Sequence, residues 1–184
     1  ITLSVIIPAY NEAALLGETL ASVLRAVAAL QPGLSVEVIV VDNGSSDATR
    51  SIAQSAGETV RVVDCAARGA ARARHQGALE SRGDVLCFLD ADTLLPEEAL
   101  VEVLGAVRER AMLAGIARYC SRDGGLKSRL WWGFWNLVRC LPLPRAKAMP
   151  AFMFCTRAAF LEYGPFDERV AIGEEWPILA GIAA

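Results

Sequence analysis

The sequence predicts an α/β domain: one doubly wound, mostly parallel sheet with flanking helices. Three observations predict it. Short apolar runs alternate with segments of helical periodicity, and the crossovers are long enough for parallel pairing. The run Val85 to Leu89 is apolar throughout, as a strand covered on both faces is. Several such runs end in a polar loop, most sharply at Val85-Leu86-Cys87-Phe88-Leu89-Asp90-Ala91-Asp92, where five apolar residues give way to two acids.

The chain has 184 residues, which suggests one domain with a core of ordinary size. Hydrophobic residues make up 54%, which excludes a disordered chain. The formal charge of −3 offers nothing to bulk nucleic acid. Its five cysteines, Cys65, Cys87, Cys120, Cys140 and Cys155, are scattered and form no Cys-x-x-Cys pair. That fits a reducing, cytoplasmic compartment. A lone histidine, His75, argues against a histidine-ligated metal cluster and against a Ser-His-Asp triad. No signal peptide is visible, and no apolar stretch reaches the roughly 20 residues of a membrane span. The chain begins at Ile1 without methionine and stops inside a predicted helix, so further sequence at either end is expected.

Leu3 to Ile7 is the first predicted strand, closed by Pro8. Asn11 is placed to N-cap the next helix, with Glu12 in its first turn. Leu16, Leu20, Val23, Leu24 and Val27 form one buried stripe, and Pro32-Gly33 ends it. Val36 to Val41 is a second strand, ending in Asp42. In the turn that follows, Ser46 or Asp47 can cap a helix reaching about Ala56. Thr59 to Val63 is a third strand, and Gly69 to Ser81 a helix with a basic side of Arg68, Arg72, Arg74 and Arg82. After the strand at Val85, Pro96-Glu97-Glu98 opens a helix whose inward face is Leu100, Val103, Leu104 and Val107.

Beyond Ala111 the texture changes. Ala114 to Cys120 reads as a strand and Ser121 to Gly125 as a loop. Leu130, Phe134, Leu137 and Leu141 share a helical face, with Trp131, Trp132 and Trp135 among them and Arg129 and Arg139 towards the other side; Pro142 and Pro144 end it. This helix either packs over the sheet or lies against a membrane or a lipid-linked acceptor. Ala151 to Cys155 is a strand, Ala158 to Tyr163 a short helix, and Gly164 to Glu168 a turn; Glu174-Glu175 opens a last helix.

In an open α/β sheet, ligands sit at the carboxyl ends of the strands, so Asp90 and Asp92 belong at the mouth of a cleft. Two acids this close repel unless a cation lies beside them, and a divalent metal carrying a phosphate resolves that. A strand ending in a polar turn, with Asp92 capping the next helix, is the plain alternative.

Six segments, in order, resemble the family 2 glycosyltransferases of the GT-A fold, over nearly the whole chain. They are Ser4 to Glu12; Val40-Val41-Asp42-Asn43-Gly44-Ser45-Ser46-Asp47; Gly69 to Gly77; Gly83-Asp84 with Leu89-Asp90-Ala91-Asp92; Gly164-Pro165-Phe166-Asp167-Glu168; and Glu174-Glu175-Trp176. The resemblance implies an inverting transfer of a sugar from a nucleotide-diphosphate donor, UDP before GDP, to a hydroxyl of a glycan, a cell-envelope polysaccharide or a lipid-linked acceptor. Residues 1–110 would form the nucleotide-sugar-binding half and residues 111–184 the acceptor-side half. By the same resemblance, Pro8, Ala9 and Tyr10 line the nucleobase pocket, with Glu12 near the ribose. Asp42 accepts a hydrogen bond from the base, and Arg74 faces the base or the diphosphate. Asp90 meets the ribose or a metal-bound water, Ala91 sits between the acids, and Asp92 binds Mg²⁺ or Mn²⁺. Glu175 falls where the family carries its catalytic base, at the inner face of a membrane if the acceptor is lipid-linked.

The chemistry is coherent without the family. Breaking a sugar–diphosphate bond leaves negative charge that a cation on Asp92 stabilises. A carboxylate near the acceptor hydroxyl removes its proton. Other readings of single residues stay open: Asp42 as a turn cap, Arg74 as a solvated charge, Tyr10 as ordinary packing, Glu175 as a helix-start acid with Glu174 its rival. Asn43 stands where a second Asp is common and is expected to matter little. His75, in place of the usual Asn, is expected on the helix surface. Two whole-chain alternatives remain. Leu89-Asp90-Ala91-Asp92-Thr93-Leu94 also looks like the nucleophile motif of haloacid-dehalogenase-type phosphatases, and the fold could serve a non-catalytic nucleotide-sugar-binding module.

Overall fold

The computed structural model describes residues 1–118, 120, 124–140, 151–167 and 175–183. Its centre is a six-stranded sheet in the order β3-β2-β1-β4-β6-β5. The strands are β1 (Leu3–Ala9), β2 (Val36–Asp42), β3 (Val60–Asp64), β4 (Val85–Leu89), β5 (Ala114–Ile116) and β6 (Phe152–Thr156). β1 pairs in parallel with both β2 and β4, and β2 with β3. β6 runs antiparallel between β4 and β5. The helices are α1 (Leu16–Ala28), α2 (Thr49–Ser55), α3 (Ala70–Glu80), α4 (Ala99–Arg108), α5 (Leu126–Cys140), α6 (Arg157–Tyr163) and α7 (Trp176–Ala183).

Two cores follow from the alternation of strand side chains. Val5, Ile7, Val38, Val40, Cys87 and Leu89 face α1 and α4. Ile6, Ile39, Val41, Leu86 and Phe88 face α3, α6 and Ile178 of α7. Every residue of β4 is buried, so the strand has no polar face to display. Phe166, from the Gly-Pro-Phe-Asp-Glu turn, is a core residue, edge-on to Phe88 at 4.9 Å.

Four boundaries differ from expectation. β5 ends at Ile116 rather than near Cys120, because its partner β6 begins at Phe152, whose carbonyl takes the Ala117 N–H. β1 runs through Pro8 to Ala9. The Ala9 carbonyl accepts from the Asn43 N–H, so Ala9 bonds towards β2 and the missing N–H of Pro8 points towards β4. There the ladder has already ended at Ile6 and Phe88, and no bond is lost. Asn11 does not cap α1. It has a left-handed φ of 54°, and its Oδ1 accepts from the Ser46 N–H at 2.8 Å, while α1 begins at Leu16. α4 begins at Ala99 because Pro96 heads a tight turn closed by the Ala99 N–H; the first full helical bond is Glu102 to Glu98.

α5 starts at Leu126, and its apolar face is open: Leu126, Leu130, Trp131, Phe134 and Leu137 are all exposed. The expectation of a helix buried over the sheet is corrected by that exposure. Leu141, Pro142, Pro144, Glu168, Glu174 and most of the Ser121 to Gly125 loop lie outside the described residues.

Two glycines set how closely the layers approach. A Cβ on Gly77 of α3 would stand 2.4 Å from Ile6 Cγ2, so α3 lies directly on the sheet. A Cβ on Gly83 would stand 2.6 Å from the Ser4 backbone nitrogen, which no rotamer change relieves. Gly83→Ala is therefore expected to destabilise the fold by about 1–3 kcal/mol or more, read as a lowered denaturant midpoint. An unchanged midpoint would show that the β1–β4 edge yields easily.

Candidate functional site

The chain winds from β1 to β2 and β3 on one side, then returns to place β4 on the other. Such a reversal leaves a crevice at the carboxyl ends of the two strands that part there. A cleft of about 540 Å³ lies at that point. Pro8, Ala9, Tyr10 and Glu12 reach it from β1, and Asp90, Ala91 and Asp92 from β4. Asn43 reaches it from β2, and Arg68, Gly69, Ala70, Ala73 and Arg74 from the start of α3. Eight residues expected at a site thus line one wall-to-wall space. Asp42 and Glu175 do not line it.

Charge in the cleft is unevenly matched. Arg74 donates to Asp90 Oδ1 at 2.5 Å, with its side chain only 13% exposed, so it is no solvated helix charge. Asp92 is exposed one residue beyond Ala91. Burial first, then the charges of Asp92, Asp47 and Asp90, push the Glu12 carboxyl above the usual carboxylate range. The cleft thus sets three carboxylates, Glu12, Asp90 and Asp92, against two guanidiniums, Arg68 and Arg74, and its acidic donors are oxygens. That set suits a hard divalent cation. Among the described residues, however, no three His, Cys, Asp or Glu side chains converge as a metal site.

Tyr10 stands half out of the surface, and the Arg68 guanidinium lies 5.0 Å over its ring. Asp42 is buried; its Oδ1 accepts from the Ser45 N–H at 3.0 Å, and its Oδ2 is 3.6 Å from Arg50 Nη1. Glu175 is 3% exposed, at the turn into α7, where its carbonyl accepts from the Leu179 N–H. Glu174 lies outside the described residues.

Two expectations are corrected. Asn43 matters. Its Nδ2 donates to the Ala67 carbonyl at 2.8 Å, and its Oδ1 accepts from the Gly69 N–H at 2.8 Å. It ties the end of β2 to the loop that carries Arg68, and a carboxylate could not donate to Ala67. His75 is no free surface residue: its ring is 5.8 Å from Phe160, and its buried Nδ1 has no hydrogen-bond partner among the described residues. Arg68, read from the sequence only as part of the basic side of α3, joins the cleft lining as well.

Comparison with known proteins identifies the family and the fold. The family model described as glycosyl transferase family 2 matches residues 4–169, and the chain belongs to that family. It is 42% identical over 113 residues to a dolichyl-phosphate beta-glucosyltransferase of Drosophila melanogaster, covering 55% of this chain and 34% of that one. The fold is similar to that of the mannosyltransferase PcManGT of Pyrobaculum calidifontis in complex with GDP-Man and Mn²⁺. That likeness has a TM-score of 0.75 and 24% identity, over 98% of this chain and 51% of the other. It is also similar to that of S. aureus TarS 1–349 in complex with UDP-GlcNAc, with a TM-score of 0.71 and 19% identity over 96% of this chain and 52% of the other. The chain spans 25% to 57% of the length of curated relatives such as these.

Because Glu12 holds its proton more tightly folded than unfolded, ionising it costs stability. That cost sets in as pH rises from the ordinary carboxylate value through the folded one, and is complete above it. Glu12→Gln should raise the melting temperature at neutral pH, and the gain should vanish below the ordinary glutamate range. A gain that persists in acid would place its cause outside the Glu12 charge.

Proposed function

We propose that the cleft is the donor site of an inverting, metal-assisted nucleotide-sugar glycosyltransferase. One observation carries the reading: an aromatic shelf, an arginine and an exposed strand-end acid meet at the switch point of the sheet. Residues 1–110 would then be the donor half and residues 111–184 the acceptor side. Every residue lining the cleft lies between Pro8 and Asp92.

Tyr10 offers its ring to the nucleobase. Asp42 stands behind the cleft lining, gripped by Ser45 and Arg50, and would accept from a ring N–H only of a base that reaches past Asn43. Glu12 lies towards the ribose. Arg74 holds Asp90 against the sheet and sets a positive charge at the cleft wall where the diphosphate would lie. Asp92, exposed and bonded only at Oδ1 by the Thr93 hydroxyl at 3.4 Å among the described residues, is the carboxylate that would hold Mg²⁺ or Mn²⁺, with Asp90 nearby. Because this chain would offer the cation few carboxylates of its own, cation and nucleotide should bind together. When bound, the cation neutralises charge on the departing diphosphate. The sugar C1–oxygen bond to the diphosphate breaks as the acceptor oxygen bonds to C1 from the opposite face. The acceptor's proton passes to a carboxylate, which we assign to Glu175, an acid buried without being part of the donor cleft.

The assignment is tested in one series with UDP- and GDP-sugars and Mn²⁺. Asp92→Asn should lose metal-dependent affinity for the nucleoside diphosphate. Glu175→Gln should keep donor affinity and lower transfer by about 100-fold or more. Equal diphosphate affinity in wild type and Asp92→Asn would overturn the metal role. A larger loss in Glu174→Gln would move the base by one residue. A chain that binds donor but neither transfers nor hydrolyses it would be a binding module.

The acceptor is proposed to be lipid-linked, because of α5. Among the described residues no helix is long and apolar enough to cross a membrane. Yet α5 exposes Leu130, Trp131, Phe134 and Leu137 beside exposed Lys127 and Arg129, and contains no acid. That is the composition of a helix lying in an anionic lipid interface, at a cytoplasmic membrane face. The name of the Drosophila relative points to the same acceptor class. Anionic liposomes should sediment the wild type at low salt but not Trp131→Ser/Trp135→Ser, with its melting temperature unchanged. No sedimentation of the wild type would remove the lipid reading.

A further inference from the structure

We infer that Thr19 and Ser22 of α1 are positioning residues for Asp92, a role that rests on the cation reading of that acid. α1 buries an apolar stripe of Leu16, Leu20 and Val23, yet it also buries Thr19 and Ser22, each 1% exposed. A core built for stability alone would place valine or alanine there, since a buried hydroxyl costs free energy unless it is hydrogen-bonded. Both hydroxyls are spent on the same loop. Thr19 Oγ1 donates to the Ala91 carbonyl at 2.7 Å. Ser22 Oγ accepts from the Leu95 N–H at 2.9 Å and donates to the Thr19 carbonyl at 2.7 Å.

The loop between those anchors carries Asp92. It is a tight turn in which the Thr93 N–H donates to the Asp90 carbonyl at 3.1 Å, and it is held on its other side by the Asp90 N–H on the Ala151 carbonyl. Ala91 and Leu95 are buried while Asp92, between them, is exposed. The Ala91 carbonyl belongs to the peptide that leads into Asp92. Its direction sets where the Cα–Cβ bond of Asp92 leaves the backbone, and Thr19 anchors that direction. Helix α1, which lines no part of the cleft, thus sets the backbone position from which the acid reaches it.

Isothermal titration of UDP and GDP, each with and without Mn²⁺, tests this, with UMP and GMP as probes of the base pocket alone. Thr19→Val keeps the shape and removes the donor. It should reduce the Mn²⁺-dependent gain in diphosphate affinity by about 10- to 100-fold, as loss of a support behind a metal ligand does, and leave monophosphate affinity unchanged. Thr19→Ser should restore the gain. Ser22→Ala, a smaller change, should act in the same direction and serves if Thr19→Val does not fold. A full Mn²⁺ gain in the folded variants would overturn the proposal, as would equal loss for di- and monophosphates. A wild type with no Mn²⁺ gain would instead overturn the cation reading of Asp92, and this role with it.

Discussion

The ion pair between Arg74 and Asp90 is the constraint on which the cleft depends. It joins α3 to the end of β4 across the place where the sheet parts. An arginine this far from water needs its partner, since removing one member of such a pair leaves the other charged and poorly solvated. The pair can form only because α3 lies close to β1, which the absence of a side chain at Gly77 permits. One consequence is chemical. With Asp90 bound to a guanidinium, Asp92 is the acid of the Asp-x-Asp that faces solvent, and the two carboxylates are given different environments. A phosphatase would need Asp90 as a nucleophile, whereas here Arg74 holds it.

Around that pair, the loops are held by buried polar side chains rather than by regular backbone pairing. Asn43 binds the loop before α3, and the backbone of Asn43 binds the end of β1. Thr19 and Ser22 bind the loop after β4. The opposite end of the sheet is built the same way for a different purpose. There Ser4 Oγ accepts from the Gly83 N–H, and the Arg157 guanidinium bonds the Gly83 carbonyl. Those contacts explain the Gly83-Asp84 pair as architecture: it closes the bottom of the sheet, away from the cleft. Membership of the glycosyl transferase family 2 accounts for the shared fold, while these local bonds decide where each functional group points.

The last third of the described chain is of another kind. β6 and β5 extend the sheet antiparallel, and α6 is capped by Thr156, whose Oγ1 accepts from the Ala159 N–H. α5 is amphipathic but leaves its apolar face uncovered, with Trp131 edge-on to Trp135 at 6.0 Å. A face of that kind is costly in water, and contact with lipid or an acyl chain would relieve it.

The sequence by itself determined the sheet, the order of strands and helices up to α4, and the acids that end β2 and β4. Apolar runs and helical periodicity are local signals, and a strand buried on both faces admits few other sequences. It also determined that Pro8, Tyr10, Glu12, Arg74, Asp90 and Asp92 belong together, through the motifs that carry them. Tertiary structure alone decided which of these side chains are free. That Asp42 turns to its own loop is a fact of local geometry, whereas that Arg74 engages Asp90 and that Asn43 ties the end of β2 to the loop before α3 are facts of distance between segments well apart in the chain. So is the use of Thr19 and Ser22, which read in one dimension as weak interruptions of a helical stripe. Hydrogen bonds act over about 3 Å in space and carry no mark of their partner in the sequence, so these pairings became legible only once the chain was folded.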